Sequence, residues 1–128
     1  MTRCPLTRVG SLLLTKAAVA GPSRVKVVRL LVDTGSVYAI LAVKVLESVG
    51  CSPAVSADYI RLITESGYLI VPRVQTSWLQ CLGQKVDQMM VVAHTVPFGS
   101  PVDGLWGMDF LRPLQARILI AEGVIELP

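Results

Sequence analysis

Charged side chains make up only 16% of the 128 residues and aromatic ones only 5%. There is a single histidine, His94, and there are three cysteines, Cys4, Cys51 and Cys81. Each shortage excludes something. His94 has no second ligand flanking it, so no metal and no cofactor is expected. Three cysteines at wide spacing are neither a disulfide framework nor a zinc signature; they read as buried or half-buried thiols in a reducing compartment. Twelve Lys+Arg against nine Asp+Glu give a net charge of +3. The basic residues are scattered and no stripe of them alternates with aromatics, so no nucleic-acid partner is expected. No uncharged run is long enough to span a bilayer; the longest, Gln88–Val102, contains His94, Pro97 and Pro101. Arg3, Arg8, the apolar stretch Val9–Leu14 and Ala18-Val19-Ala20 imitate a secretory leader, but Lys16 interrupts the apolar region. The expectation is a soluble, cytoplasmic chain with no membrane partner.

Aliphatic residues fill the space left by charge. Hydrophobic residues are 52% of the chain and the mean hydropathy is +0.60, which excludes intrinsic disorder. Val, Leu and Ile alone supply 43 residues, 19 of them Val, and so much valine favours strands. The length fits one domain, residues 1–128, with 1–8 as a loose N-terminal arm. So little charge on a small chain would leave much apolar surface exposed, which points to a subunit that buries part of itself in an oligomer.

Turn residues divide the aliphatic runs into hairpins. Val9–Ala18 and Arg24–Val32 flank Gly21-Pro22-Ser23. Tyr59–Thr64 and Tyr68–Val74 flank Glu65-Ser66-Gly67, a tight turn. Trp78–Leu82 and Lys85–Ala93 break at Gly83-Gln84, and Arg117–Ile120 and Val124–Leu127 close around Glu122-Gly123. Ala42–Val49 has helical spacing, with Val45, Leu46 and Val49 on one side and Gly50 as its cap. Thr95–Gly104 reads as an irregular loop, and Gly107–Leu111 as a short helix stopped by Pro113. No βαβ alternation appears, so the expected class is all-β with one or two short helices.

One segment carries chemistry. Leu30-Leu31-Val32 delivers Asp33-Thr34-Gly35-Ser36 at the end of an apolar strand. A carboxylate there has to be compensated or protonated. Thr34 and Ser36 offer hydroxyls, and Gly35 lets the backbone turn toward the carboxylate. On these residues alone, an Asx-type turn between two strands is an equally good account.

A second segment changes the balance. Leu-Leu-Val-Asp-Thr-Gly-Ser at 30–36 and Gly104-Leu105-Trp106-Gly107-Met108-Asp109-Phe110-Leu111 together resemble the active-site loop and the apolar-apolar-Gly element of the retropepsin-like aspartic proteases. The likeness runs in the same order over residues 9–127. Ser36, Val37 and Tyr38 are closer to the bacterial and cellular members than to the viral ones. Thr64, Glu65, Ser66, Gly67 and Tyr68 stand where that family has its flap, here without a glycine pair. The resemblance implies a retropepsin-like closed β-barrel half that works as a twofold homodimer on a peptide or protein substrate. It implies Asp33 as the catalytic acid/base, and Thr34 as a tie to the partner's loop. Gly35 would hold the carboxylate through its N–H, and Ser36 would donate a further hydrogen bond to it. The flap residues would cover the substrate, with Leu105, Trp106 and Gly107 near the active site.

Aspartic proteolysis needs two carboxylates that share one proton. This chain has one Asp-(Thr/Ser)-Gly; Asp103-Gly104 lacks the hydroxyl residue and Asp109 lies in another motif. The second carboxylate is therefore expected from a second copy, joined through the apolar ends Val9–Leu14 and Val124–Leu127. Tyr59 and Tyr68 read as strand packing, Trp106 as core, Asp109 as a helix-terminus or ion-pair residue, and His94 as a loop or surface residue. Two other readings keep the same residues: a catalytically silent retropepsin fold that binds peptides or dimerises, and an unrelated small β-barrel binding module.

Overall fold

The computed structural model describes residues 1–95 and 102–128. Most of the loop expected at Thr95–Gly104, its residues 96–101, lies outside the described residues. The valine-rich runs are strands. β1 (Thr2–Pro5) and β2 (Thr7–Val9) precede the hairpin of β3 (Leu12–Ala20) and β4 (Val25–Val32). Its register sets Leu14 opposite Leu31 and Ala20 opposite Val25. The period of two then sorts the side chains: Ala17, Val19, Val28 and Leu30 enter the main core, while Lys16 and Arg29 stay exposed on the other face.

After β4 the chain forms β5 (Ile40–Leu41) and helix α1 (Val43–Ser48). Val45, Leu46 and Val49 are buried on one side of α1, as their spacing predicted. Full burial of each such aliphatic side chain contributes about 1.5–3 kcal/mol. The helix stops because Gly50 takes φ +90°. Gly50 N–H donates to Glu47 O at 3.1 Å and Cys51 N–H to Leu46 O at 2.8 Å, the two bonds of a Schellman end.

A 3-10 turn (Pro53–Val55) leads to the long hairpin β6 (Asp58–Thr64) and β7 (Gly67–Gln75). Then come β8 (Trp78–Cys81), β9 (Gln84–Asp87), β10 (Met90–Ala93), β11 (Gly104–Trp106) and helix α2 (Met108–Leu111). The final pair is β12 (Arg117–Leu119) and β13 (Val124–Leu127). Among the described residues, ten strands make one curled sheet in the order β6-β7-β10-β5-β11-β4-β3-β8-β9, with β2 also on β3. Its main core centres on Val19, Leu30, Leu46, Leu79, Trp106 and Ile125. The fold is a curled half-barrel, mostly β with two short helices. No helix among the described residues is long and apolar enough to cross a membrane.

Three expectations need correction. Residues 1–8 are not a loose arm: β1 pairs with β13, and β2 pairs with β3. Cys4 and Leu6 pack against the core, Arg3 meets Glu126 at 3.2 Å, and Arg8 Nη2 donates to Ile120 O at 2.7 Å. The arm's polar composition hid a strand whose order comes from its partners. Lys85–Ala93 is not one strand either. Gln88 takes φ +54° and its N–H donates to Ser77 O, which ends β9 and frees β10 to pair with β5 and β7. Finally, the ends proposed for dimerisation are already paired. β13 lies between β1 and β12, and Leu12–Leu14 lie against β2. In this small sheet the open edges belong to β1 and β12.

β11 enters the sheet parallel to β4 and antiparallel to β5. The fit depends on Gly104, where a Cβ would overlap the Ile40 carbonyl oxygen. Gly104→Ala should therefore lower unfolding stability by about 3 kcal/mol, since the clash is with backbone that cannot rotate away. Urea denaturation measures this; an unchanged midpoint would show that β11 does not approach β5 so closely.

Candidate active site

Asp33 sits one residue beyond β4, half-buried, with Thr34 and Gly35 exposed beside it. Its backbone N–H donates to Trp106 O at 3.1 Å, which continues the β4–β11 pairing into the loop. Gly35 N–H donates to Asp33 Oδ1 at 3.0 Å, the bond expected from the sequence. Ser36 N–H donates to Asp33 O at 3.2 Å and closes the turn. The Ser36 side chain does otherwise than expected: its Oγ donates to Tyr38 O at 2.7 Å, not to the Asp33 carboxylate. A hydroxyl so close in sequence finds the nearest backbone acceptor first. Thr34 lines a small cavity of about 290 Å³ with α2 residues Met108 and Leu111.

The second motif clamps this loop. Met108 N–H donates to Ser36 O at 2.8 Å and Asp109 N–H to Val37 O at 3.0 Å. In return, Ala39 N–H donates to Asp109 Oδ1 at 2.9 Å. The loop and the first turn of α2 thus satisfy one another's unpaired backbone groups. Gly107 lets them approach, since a Cβ there would overlap the Tyr38 carbonyl. Trp106 is core, fully buried and 5.0 Å from the Phe110 ring. Asp109 is the helix-terminus residue expected, but its hold on Ala39 was not legible: nothing local in the sequence shows what a first-turn acid will face.

The flap residues Thr64–Tyr68 are exposed at the tip of the β6–β7 hairpin, around a two-residue turn. Tyr59 and Tyr68 are not packed as strand residues usually are; they are 53% and 58% exposed. Tyr68 instead lies under the Arg61 guanidinium at 4.5 Å. Between flap and loop is a cavity of about 600 Å³, lined by Gly35–Tyr38, Arg61–Thr64, His94 and Leu105 among others. Leu105 is thus the one residue of the Leu105-Trp106-Gly107 trio that lines it. His94 was expected in a loop or at the surface; it follows β10 directly, is half-buried, and lines this cavity. A separate cavity of about 510 Å³, near Cys51 and Arg73, shares no lining residue with the loop or the flap tip.

A family model described as aspartyl protease matches residues 15–110, which include the first motif, the flap and all of the second motif but Leu111. The chain belongs to the aspartyl protease family. No curated protein matches it. Among solved structures, the chain is similar to a retropepsin-like aspartic protease from Rickettsia conorii. That match has a TM-score of 0.72 at 14% identity and covers 97% of this chain and 88% of the other. It is also similar to the retroviral protease-like domain of Ddi1 from Leishmania major, with TM-score 0.60 at 15% identity over 91% and 87% of the two chains. At such identities the likeness is one of fold.

The clamp has a titration signature. Asp109 is exposed as a residue, yet desolvation around its carboxyl raises its pKa from the ordinary 3.8, outweighing the Ala39 N–H. A carboxyl whose pKa is higher folded than unfolded binds more protons when folded. Its contribution is therefore most favourable below 3.8 and is lost as pH rises through the raised value. Asp109→Asn keeps an acceptor oxygen for Ala39 and cannot titrate. Relative to this variant, the wild-type chain should lose stability on going from below pH 3.8 to above the raised value. Paired thermal melts across the acid range measure it, and a difference that stays constant or changes in the opposite sense would contradict this account.

Proposed function

We propose that this aspartyl protease is an endopeptidase whose working site is built by two copies of the chain, each contributing Asp33. The observation that carries the proposal is the Asp33 loop itself. It holds one carboxylate by Gly35 N–H, is braced by β11 and α2, and lies beside a cavity bounded by the flap. The other two aspartates of the neighbouring segments are occupied. Asp103 Oδ2 accepts Arg29 N–H at 2.9 Å, and Asp109 holds Ala39. A twofold homodimer supplies the missing carboxylate from an identical loop.

The chemistry follows from two carboxylates sharing one proton. The ionised one takes a proton from a water, whose oxygen attacks the scissile carbonyl carbon. The protonated one gives its proton to the carbonyl oxygen, which yields a neutral tetrahedral diol. In the collapse the C–N bond breaks, one carboxyl delivers its proton to the leaving amine, the other carboxylate takes a proton from a diol hydroxyl as the new carbonyl forms, and the pair again holds one shared proton. Gly35 N–H keeps Asp33 aimed through these steps. Thr34, exposed beside Asp33, would meet the partner's loop. The flap would close over the peptide and exclude water. The open edges of β1 and β12 are the strands available for a sheet shared between copies.

Asp33→Asn should fold normally and lower peptide hydrolysis by roughly 10²–10⁴-fold, because an amide can neither act as base nor share the proton. Circular dichroism with cleavage of a mixed peptide library checks both halves; turnover near the wild-type rate would remove Asp33 from the mechanism.

Specific activity should also fall on dilution, in step with the sedimenting dimer. Activity that stays constant where only monomer sediments would rule out the shared site, and a chain that forms dimers but never cleaves would favour the silent, peptide-binding reading.

A further inference from the structure

The flap is apolar on the side turned away from the cavity as well. Along β7, the face that buries Val74 in the main core carries Pro72, Ile70 and Tyr68 beyond it. The register sets Tyr59, Arg61 and Ile63 of β6 opposite these three, so six side chains share this outer face. Ile60 and Leu62 point the other way, into the cluster of Ile40, Val71 and Val92. A strand face in solvent ordinarily carries polar residues. Here Ile63 is 75% exposed, Ile70 is 60% exposed, and both tyrosines are more than half exposed. Tyrosine, arginine and aliphatic residues, with no Lys, Asp or Glu among the six, are the composition of an interface centre.

The face is also complementary to itself. Arg61 lies over the Tyr68 ring at 4.5 Å and has no carboxylate within ion-pair distance among the described residues. That contact uses one side of the guanidinium plane, and Arg61 is exposed, so the other side is free to stack on a second ring. Tyr59 has no ring or cation stacked on it among the described residues. Cation and ring thus stand on one face, as a twofold contact between identical faces requires. At these exposures the face offers roughly 500 Å² to a partner, less than the about 800 Å² per partner of a stable interface. One flap-to-flap contact is therefore weak. The proposed dimer has two flaps over one shared site, both facing outward on the same side, and two dimers meeting through both flaps double the area.

We propose that the outer flap face is a contact for a second copy of this protein, through which two dimers join flap to flap as a resting tetramer. This rests on the dimer of the peptidase reading and adds its regulation. In the contact Ile63 and Ile70 leave water, and Arg61 of each copy stacks between its own Tyr68 and the partner's Tyr59. A flap has to lift to admit a peptide. Held between two dimers it cannot lift, so the tetramer is inert until dilution releases it.

The test is sedimentation and peptide cleavage measured together on the full chain, across a concentration series up to the solubility limit. Specific activity should rise as monomer becomes dimer, then fall about tenfold as dimer becomes tetramer. Tyr59→Ser/Ile70→Ser changes two exposed positions that do not line the cavity. It should move the second transition to about tenfold higher concentration and leave the first in place. Ile70→Glu, which sets a charge in the middle of the contact, should do the same and serves if the double variant folds poorly by circular dichroism. A wild-type chain that never passes the dimer overturns the proposal. So does a tetramer that both variants leave unchanged, or one that cleaves as fast as the dimer. These outcomes leave the peptidase reading intact. If no peptide is cut at any concentration, the peptidase reading fails and sedimentation alone decides the contact: a tetramer lost in the variants upholds it, and one that persists overturns it.

Discussion

The site depends on a backbone interlock between two segments far apart in sequence. Asp33 N–H bonds Trp106 O, Met108 and Asp109 N–H groups bond Ser36 O and Val37 O, and Asp109 holds Ala39 N–H. A loop carrying a carboxylate at the end of a buried strand cannot be shaped by its own residues alone, because its turn leaves backbone groups unpaired. The β11–α2 segment meets that need and has unpaired groups of its own to satisfy. Gly104 and Gly107 are the condition for it, since a side chain at either would strike the carbonyls of Ile40 or Tyr38. The two short motifs are thus one structural unit split across the chain.

In the proposed dimer that unit would be half of a site. β11 reaches the loop between β4 and β5, so the loop's supports all come from within the chain. The carboxylate itself has one oxygen held by Gly35 N–H. What the fold leaves unsupplied is a second acid. In the proposed dimer a second copy would provide it under twofold symmetry without any new sequence.

Much of this was legible in the residues, for identifiable reasons. The β3–β4 and β6–β7 hairpins follow from valine-rich runs and compact turns, and α1 from the spacing of Val45, Leu46 and Val49. Asp33 and Gly35 stood out because an acid at the end of an apolar strand needs donors and a turn, and the second motif stood out only through its likeness to the family's apolar-apolar-Gly element. What was hidden depends on partners distant in sequence. β1 looks polar and becomes a strand only against β13. The break at Gln88 is set by which strands β9 and β10 find. Ser36 could reach Asp33 or Tyr38, and only the loop's path decides. Tyr59 and Tyr68 were read as packed because aromatics on strands usually are, but the flap has solvent on its outer face. His94 carried no local signal, since its place on the cavity wall comes from the parallel pairing of β10 with β5.

The small sheet β1-β13-β12 has a consequence for when the protein can act. Its register joins Thr2 to Leu127, and the Asp33 loop likewise waits for Trp106 and Met108. Contacts of such sequence separation form slowly, after the loops between them have closed. During synthesis, Asp33 emerges before Trp106 and Met108 and lacks the frame that orients it until they have followed. A nascent chain would therefore carry the proposed catalytic residue without its geometry. Under the proposed mechanism, its neighbours on the ribosome, and the chain itself, would be protected from cleavage by the order in which the fold is assembled.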